Sequence, residues 1–362
     1  MPGVYISYPF CAQKCSFCNF ASGPAAADDR VRYRHALMEE VRAHRWAWLP
    51  DTMYFGGGTP SLMPPDLLCE ICGAIPEAML REVTLECAPG TVTGEAVTAW
   101  RDSGINRVSL GVQSFVPAEL RTTGRRHTAE MVRDDIELLR GAGIENINLD
   151  LIAGLPEQTG ESWEDSLDWI DRLAPPHVSV YIFEVDEDSR LGKELLLGGV
   201  RYGAARVPEE ELVARLYERA VQRLDSAGIA RYEISNFARR GWESRHNLKY
   251  WRLEPYVGFG LDAHSFDGKK RWANPDTLAT YLGRNAAGQE TVESDGEEEH
   301  FFVGLRLTSG IVPSGAERVR FERPISKWLE AGMLEWHGSK LRLSSQGVLV
   351  SNEIFQDFID AW

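Results

Sequence analysis

Short runs of β-forming residues alternate with longer amphipathic segments from residue 4 to about residue 183. The runs that we predict as strands are 4–8, 52–55, 83–86, 107–111, 147–151 and 178–183. Apolar residues three to four positions apart predict helices between them, at 29–48, 65–75, 93–103, 129–141 and 161–173. This alternation is typical of parallel strands joined by helices, and no nucleotide-binding glycine fingerprint follows the first strand. The pattern predicts an α/β fold with a partial (β/α)6 barrel.

The rhythm changes past residue 184, which indicates a smaller C-terminal α/β region. Residues 208–227 predict one long amphipathic helix, and a loop-rich stretch follows it. The acidic run 290–299 predicts a solvated linker, while 301–307 and 325–362 predict a small unit of helices and a β-hairpin. We therefore divide the chain into a barrel core at 1–184, a helix and loop-rich extension at 185–289, and a small C-terminal module at 290–362.

Charge and hydropathy exclude two classes of partner. The chain has 39 basic and 54 acidic residues, a formal net charge of −15, which argues against a nucleic-acid partner. No apolar run reaches the roughly 18 residues of a membrane-spanning helix, so we predict no integral membrane segment. Because the first predicted strand follows Met1 without a basic leader, we also predict a cytoplasmic location.

Three of the six cysteines, Cys11, Cys15 and Cys18, directly follow the first predicted strand with the spacing Cys-x3-Cys-x2-Cys. Soft thiolates suit zinc or an iron–sulfur cluster. Structural zinc needs four ligands, and the next cysteine along the chain is only Cys69. Three thiolates on a four-iron cluster would leave one iron open to a small molecule. The residues alone leave three alternatives: an iron–sulfur cluster, a zinc site, or three unrelated buried thiols.

Glycine and polar residues stand at the ends of the next four predicted strands. Glycines at such positions let a ligand approach backbone amides, and the carboxyl ends of parallel strands meet at one mouth. The sequence therefore predicts a ring of ligand contacts, with solvated strand-end residues as the alternative. The residues are Gly57, Gly58, Thr59, Glu86, Gln113 and Asp150.

The cysteine spacing resembles the signature of the radical S-adenosylmethionine enzymes. The glycine and strand-end segments are similar to those of the branch that contains oxygen-independent coproporphyrinogen III oxidases and the HemW-type heme chaperones, over almost the whole chain. The resemblance implies a [4Fe-4S] cluster on Cys11, Cys15 and Cys18, whose open iron binds S-adenosyl-L-methionine. The contacts that it implies for S-adenosyl-L-methionine are Tyr5, Gly57, Gly58, Thr59, Glu86, Gln113, Arg125 and Asp150, the last suited to ribose hydroxyls.

Two features that the oxidases have and this chain lacks, together with one motif, make the chain more similar to the chaperones than to the oxidases of this branch. Oxidases of the branch carry an N-terminal extension and a further cysteine at the position where this chain has Phe20. His246 lies in a His-Asn-x-x-Tyr-Trp motif similar to that of HemW-type proteins. A histidine can ligate heme iron, and Tyr250 and Trp251 offer flat apolar surface, although a histidine beside aromatic rings can equally be structural. His264, in a glycine-flanked loop, is a second candidate for the heme side, with a structural histidine as the alternative.

The resemblance implies a chaperone that binds heme and passes it to an acceptor protein. The alternatives are oxidative decarboxylation of coproporphyrinogen III and, from another class, a zinc-stabilised binding protein. Whether the protein is also an enzyme stays open, since the family usually has histidine where this chain has Ser7 and asparagine where it has Ala88. Losing an imidazole beside the cluster would alter the groups that tune it.

Overall fold

The computed structural model describes residues 1–76, 80–283 and 291–359. All six predicted strands form, and they lie side by side in chain order with parallel pairing. The predicted α/β class with its (β/α)6 core is confirmed. The strands are β1 (Gly3–Tyr8), β2 (Thr52–Gly57), β3 (Glu82–Cys87), β4 (Arg107–Gln113), β5 (Asn146–Ala153) and β6 (His177–Ile182).

Helices connect these strands and cover the sheet. They are α1 (Ala27–Ala43), α2 (Pro65–Ala74), α3 (Gly94–Asp102), α4 (Pro117–Thr122), α5 (Ala129–Gly141) and α6 (Gly160–Leu173), with a 3-10 turn at Pro60–Leu62. Threonines fix where three of them begin: the side chains of Thr93, Thr128 and Thr159 each accept a backbone N–H bond from the first turn. The short α4 was not predicted from the sequence.

The first helix ends at Ala43, so the prediction of a helix over 29–48 is wrong at its C-terminal end. The backbone of His44 is extended, and its ring packs edge-on against Trp46 and Phe259. Aromatic packing against the sheet therefore replaces the last predicted helical turn.

Beyond residue 184, the chain adds strands to both edges of the six-stranded parallel sheet. One strand pairs in parallel with β1, and another pairs antiparallel with β6. The stretch predicted as loop-rich therefore contains sheet strands, while the division at residue 184 stays a prediction. The elements are α7 (Arg190–Leu196), a 3-10 segment at Arg201–Arg206, α8 (Glu210–Ser226), β7 (Ala230–Arg231), β8 (Asn236–Ala238), α9 (Arg245–Trp251), β9 (Tyr256–Phe259), β10 (His264–Phe266), β11 (Lys270–Ala273) and α10 (Leu278–Gly283).

The acidic stretch after residue 290 forms a strand and a helix, so the prediction of a linker there is wrong for the described part, whereas residues 291–293 are solvent-exposed as predicted. Its first strand pairs with β11, and the buried Glu299 forms an ion pair with Arg271. Glu290 itself and the last three residues of the predicted tail, 360–362, lie outside the described residues. The elements are β12 (Thr291–Glu293), α11 (Gly296–Phe302), a 3-10 turn at Gly304–Arg306, α12 (Gly315–Arg320), α13 (Glu322–Glu330), β13 (Leu334–His337), β14 (Lys340–Leu343), α14 (Ser345–Leu349) and α15 (Ser351–Ile359).

None of the helices in the described ranges combines the length and the apolar character that a bilayer crossing requires. The largest sheet runs in the order β12, β11, β10, β9, β1 to β6, β8, β7. Because β9 lies directly beside β1, the loop after β9 reaches the same sheet edge as the cysteine segment after β1.

Candidate functional site at the carboxyl ends of the strands

One face of the parallel sheet stays partly open towards the carboxyl ends of its strands. Strand register places Tyr5 opposite Tyr54, and Glu86 opposite Ser109. Alternate residues of a strand share a face, so Asp150 lies on the same face as its strand neighbour Asn148, which pairs with Ser109. The side chains that keep some exposure here are Tyr5, Tyr54, Glu86, Gln113, Asp150 and Tyr181.

Tyr5, Tyr54 and Glu86 form one continuous set of contacts. The two tyrosine rings stack with centroids 6.0 Å apart, and the Tyr54 hydroxyl donates to Glu86 Oε1 at 2.9 Å. The Tyr5 ring packs directly on Gly56. A Cβ atom at position 56 would lie only 2.8 Å from that ring, so glycine is needed for this contact. Burial raises the pKa of Glu86 to about 7, repulsion from Asp150 adds to the rise, and the Tyr54 hydrogen bond opposes it.

Asp150 is held by a chain of buried polar groups. Its carboxylate accepts from Asn148 Nδ2 at 2.7 Å and from Ser109 Oγ at 3.3 Å. Asn148 Oδ1 accepts from His177 Nδ1 at 2.6 Å, and His177 Nε2 lies 2.9 Å from the Tyr232 hydroxyl. Burial raises the pKa of Asp150, and hydrogen bonds from its neighbours oppose the rise. The carboxylate is therefore fixed in direction before any ligand arrives.

Gln113 and Arg125 bring unsatisfied polar atoms to the same edge. Gln113 ends β4 after a register shift, in the left-handed region at φ 68°. A guanidinium nitrogen of Arg125 donates to the Gly111 carbonyl. Within the described part of the chain, Gln113 Oε1 and Arg125 Nε are buried without a hydrogen-bond partner. Buried polar groups are rarely left unpaired, so these two atoms indicate a polar ligand.

The glycine segment after β2 packs on the start of the cysteine segment. Gly57 has φ +106°, and a Cβ on Gly58 would lie only 2.7 Å from the backbone of Pro9. The amide of Gly58 donates to the Tyr8 carbonyl at 2.9 Å, and that of Thr59 donates to the Phe10 carbonyl at 3.0 Å. Only glycine permits this approach, which is why the two motifs touch.

The three cysteines lie in one loop that is braced by its neighbours. Cys11 is buried, whereas Cys15 and Cys18 are half-buried. Ser16 anchors the loop, because its amide donates to the Thr123 carbonyl at 3.2 Å and its carbonyl accepts from the amide of Leu191 at 2.8 Å.

Burial raises the pKa of the Cys11 and Cys15 thiols, and the positive charge of Arg125 partly opposes this at Cys15. Across residues 1–76, 80–283 and 291–359, no three His, Cys, Asp or Glu side chains are already arranged to hold a metal ion. Three thiol donors in one loop still suit an iron–sulfur cluster by their chemistry, and the unpaired atoms of Gln113 and Arg125 suit a polar cofactor beside it.

A cavity of about 650 Å³ opens beside this edge of the sheet. Its volume lies within the roughly 300–1,000 Å³ of ligand pockets. The sheet contributes Tyr5, Ser7 and Gly57, and the segment after Cys18 contributes Phe20. The rest of the lining includes Tyr250, Trp251, Asp262, His264 and Phe302. One cavity thus joins residues that the sequence assigned to S-adenosyl-L-methionine with residues that it assigned to heme.

His246 lies behind this cavity, not in its lining. It is fully buried, with Nδ1 2.9 Å from Thr52 Oγ1 and Nε2 2.8 Å from the Tyr250 hydroxyl. Burial, together with the nearby charge of Lys249, lowers the pKa of His246 to about 3. In this structure His246 positions Tyr250, and its role as a heme ligand stays a prediction.

Sequence reasoning missed four residues of the site: Tyr54, Ser109, Asn148 and His177. The signal for Asn148 was present, because β5 alternates polar and apolar residues from Asn146 to Asp150. His177 and Ser109 carried no comparable pattern, since their partners come from other strands.

A sequence profile of the Radical SAM superfamily matches residues 5–170. The heme chaperone HemW of Lactococcus lactis is 32% identical to this chain over an alignment of 372 positions. The alignment covers 98% of this chain and 97% of that protein. HemW of Bacillus subtilis is 32% identical over 381 residues and covers 99% of both chains. This chain belongs to the HemW family of the radical SAM superfamily.

A solved structure of a coproporphyrinogen III oxidase is also similar to this chain. Coproporphyrinogen III oxidase HemN of Escherichia coli, a radical SAM enzyme, superimposes with a TM-score of 0.84 at 19% identity, over 100% of this chain and 91% of that chain. This similarity shows a shared fold. Membership of the HemW family favours the predicted chaperone over the oxidase and the zinc-binding alternatives.

Proposed function

We propose that this HemW-family protein binds heme and passes it to an acceptor protein, in the cytoplasm. Its cofactors would be a [4Fe-4S] cluster on Cys11, Cys15 and Cys18, and S-adenosyl-L-methionine at the strand ends. The cavity of about 650 Å³ is the observation that carries the proposal, because Tyr5 and the aromatic motif at Tyr250 both line it. The relatives from L. lactis and B. subtilis are named heme chaperones, which supports the choice of heme as cargo.

The strand-end residues would bind and orient S-adenosyl-L-methionine. Asp150 presents a fixed carboxylate for hydroxyl groups, while Gln113 Oε1 and Arg125 Nε offer an unpaired acceptor and donor. By the family resemblance, Gly57, Gly58 and Thr59 would hold the amino-acid part of the cofactor, and Gly57 lines the cavity. When bound, a reduced cluster and this cofactor supply one-electron chemistry. Because burial raises the pKa of the Cys11 thiol, we expect iron loading to release protons.

The aromatic part of the cavity would hold the porphyrin. Tyr250 packs edge-on against Tyr256 with ring centroids 4.6 Å apart, and the Arg306 guanidinium lies 4.4 Å from the Trp251 ring. These contacts fix the rings, so a flat apolar ligand meets a surface that needs little reordering.

The test uses full-length protein reconstituted anaerobically with iron and sulfide. We expect saturable binding of about one heme per chain, followed through the Soret band, and no conversion of coproporphyrinogen III in the presence of S-adenosyl-L-methionine and reductant. Formation of protoporphyrinogen IX would favour the oxidase instead. Zinc in place of iron, with no heme binding, would favour the zinc-stabilised protein.

Transfer is measured separately, by mixing heme-loaded protein with a soluble apocytochrome b. A transfer rate that rises with apocytochrome concentration indicates handover within a complex. A rate that does not depend on that concentration indicates simple release of heme, and it would contradict the transfer step.

A further inference from the structure

We propose that His264, at the start of β10, is the axial ligand to the iron of heme bound in this cavity. The inference rests on the proposed function and assigns the site at which heme would be held. His264 is the one histidine among the described residues that line the cavity.

The turn that carries His264 is braced against β1. Gly260, with φ +96°, packs so closely that a Cβ there would lie 2.4 Å from the Tyr33 hydroxyl and 2.8 Å from the Ser7 carbonyl oxygen. The Tyr33 hydroxyl donates to that carbonyl at 2.6 Å and accepts from the amide of Leu261 at 3.1 Å. The turn is thereby fixed to the strand that leads into the cysteine loop, so His264 has a defined position relative to that loop.

The imidazole of His264 is available, unlike that of His246. Its side chain is 68% exposed, and its closest charged partner is Asp262, whose Oδ1 lies 3.8 Å from Nε2. This distance is longer than the N···O distance of a hydrogen bond, and the His264 side chain forms no hydrogen bond within the described ranges. A small rotation of the ring would let Asp262 accept its second N–H, which orients a metal-bound imidazole and raises its basicity. His246 would have to give up two hydrogen bonds first.

The remaining lining suits a porphyrin. Phe20 and Phe302 are apolar, and Trp251 Nε1 is buried without a hydrogen-bond partner among the described residues. Because Nε1 is not exposed to the cavity, Trp251 contributes ring surface to it. Arg271 also lines the cavity, but Glu299 holds it at 2.6 Å and 2.8 Å, so this pair contributes little net charge.

The test compares ferric heme spectra of wild-type protein with those of three variants: His264→Ala, His246→Gln and His337→Ala. Gln at position 246 can keep a hydrogen bond to Tyr250, and His337 is an exposed histidine of the β13–β14 hairpin that does not line the cavity. We expect His264→Ala alone to lose the nitrogen-ligated Soret and electron paramagnetic resonance spectra and to bind heme about 10–100-fold more weakly. Added imidazole should restore the spectrum of that variant. Circular dichroism should be unchanged, because the side chain is exposed.

A wild-type spectrum in His264→Ala would overturn the assignment, as would loss of the nitrogen ligand in His246→Gln alone. Failure of the wild-type protein to bind heme is a different result, because it would contradict the proposed function before the ligand is in question.

Discussion

The carboxylates of β3 and β5 and the aromatic residues of α9 border the same open edge, but they are fixed in different ways. Glu86 and Asp150 are held by directional hydrogen bonds from Tyr54 and Asn148. Tyr250 is held by ring packing and by one hydrogen bond with His246. The first region can therefore discriminate hydroxyl groups, whereas the second offers surface with little directional preference. The comparison indicates that a flat ligand in the aromatic region needs a separate anchor, which is the role that we propose for His264.

Strand β3 connects the two regions. Its first residue, Glu82, accepts the backbone N–H groups of Arg245 and His246 at 2.9 Å each, at the start of α9. Its fifth residue, Glu86, belongs to the strand-end set. The buried carboxylate of Glu82 thus anchors α9, which carries the aromatic region. Glu86, on the same strand, belongs to the carboxylate region, so the two regions keep a fixed relative position.

The largest expected effect concerns the cysteine loop, which carries the predicted cluster ligands. Cys15→Ala should remove essentially all cluster iron, because three thiolates are the minimum for a four-iron cluster with one open iron. Iron and sulfide analysis after anaerobic reconstitution measures this, with about four of each expected in the wild type. Cys72→Ala is the control, since that half-buried thiol lies in α2 away from the loop.

Heme binding by iron-free Cys15→Ala protein tests whether the aromatic region binds heme without the cluster. We expect it to persist, because His264 and Trp251 line the cavity and lie outside the cysteine loop. Retention of the full cluster in this variant would instead remove Cys15 from the ligand set.

A second prediction uses pH to separate the carboxylate region from the aromatic one. Burial raises the pKa of Glu86 from 4.5 to about 7, so between these values the folded protein holds a proton that the unfolded chain releases. The Glu86 contribution to stability therefore falls as pH rises through this window. Relative to wild type, Glu86→Gln should gain about 3 kcal/mol in unfolding free energy between pH 4 and pH 8, without cofactor.

Urea unfolding at several pH values measures this difference. Glu137→Gln, at an exposed position of α5, is the matched control and should follow the wild-type curve. Parallel wild-type and Glu86→Gln curves would mean that the pKa of Glu86 is the same in the folded protein as in the unfolded chain, and Glu86 would then add no pH dependence to the carboxylate region.

The sequence predicted the six parallel strands because each is a run of β-forming residues and a clear helix separates each strand from the next. It did not predict that β8 and β9 extend the sheet, since both are short and their pairing with β6 and β1 depends on distant contacts. The same limit applies within the site. Asp150 was recognisable at a strand end, whereas the burial of His246 follows from Thr52 and Tyr250, which only the fold brings to its two nitrogens.

The smallest expected effect tests the directional character of the carboxylate region. Asp150→Asn keeps the shape of the side chain but removes its charge, so S-adenosyl-L-methionine should bind more weakly by roughly 1.5–3 kcal/mol, the range for a hydrogen bond to a charged group. Isothermal titration of cluster-loaded protein measures the affinity, and Asp225→Asn, exposed on α8, should leave it unchanged. Heme affinity should stay the same in both variants, because Asp150 does not line the cavity. Equal loss of both ligands in Asp150→Asn would mean that the Asn148–His177 chain supports the whole edge of the sheet, and the two regions would then be one structural unit.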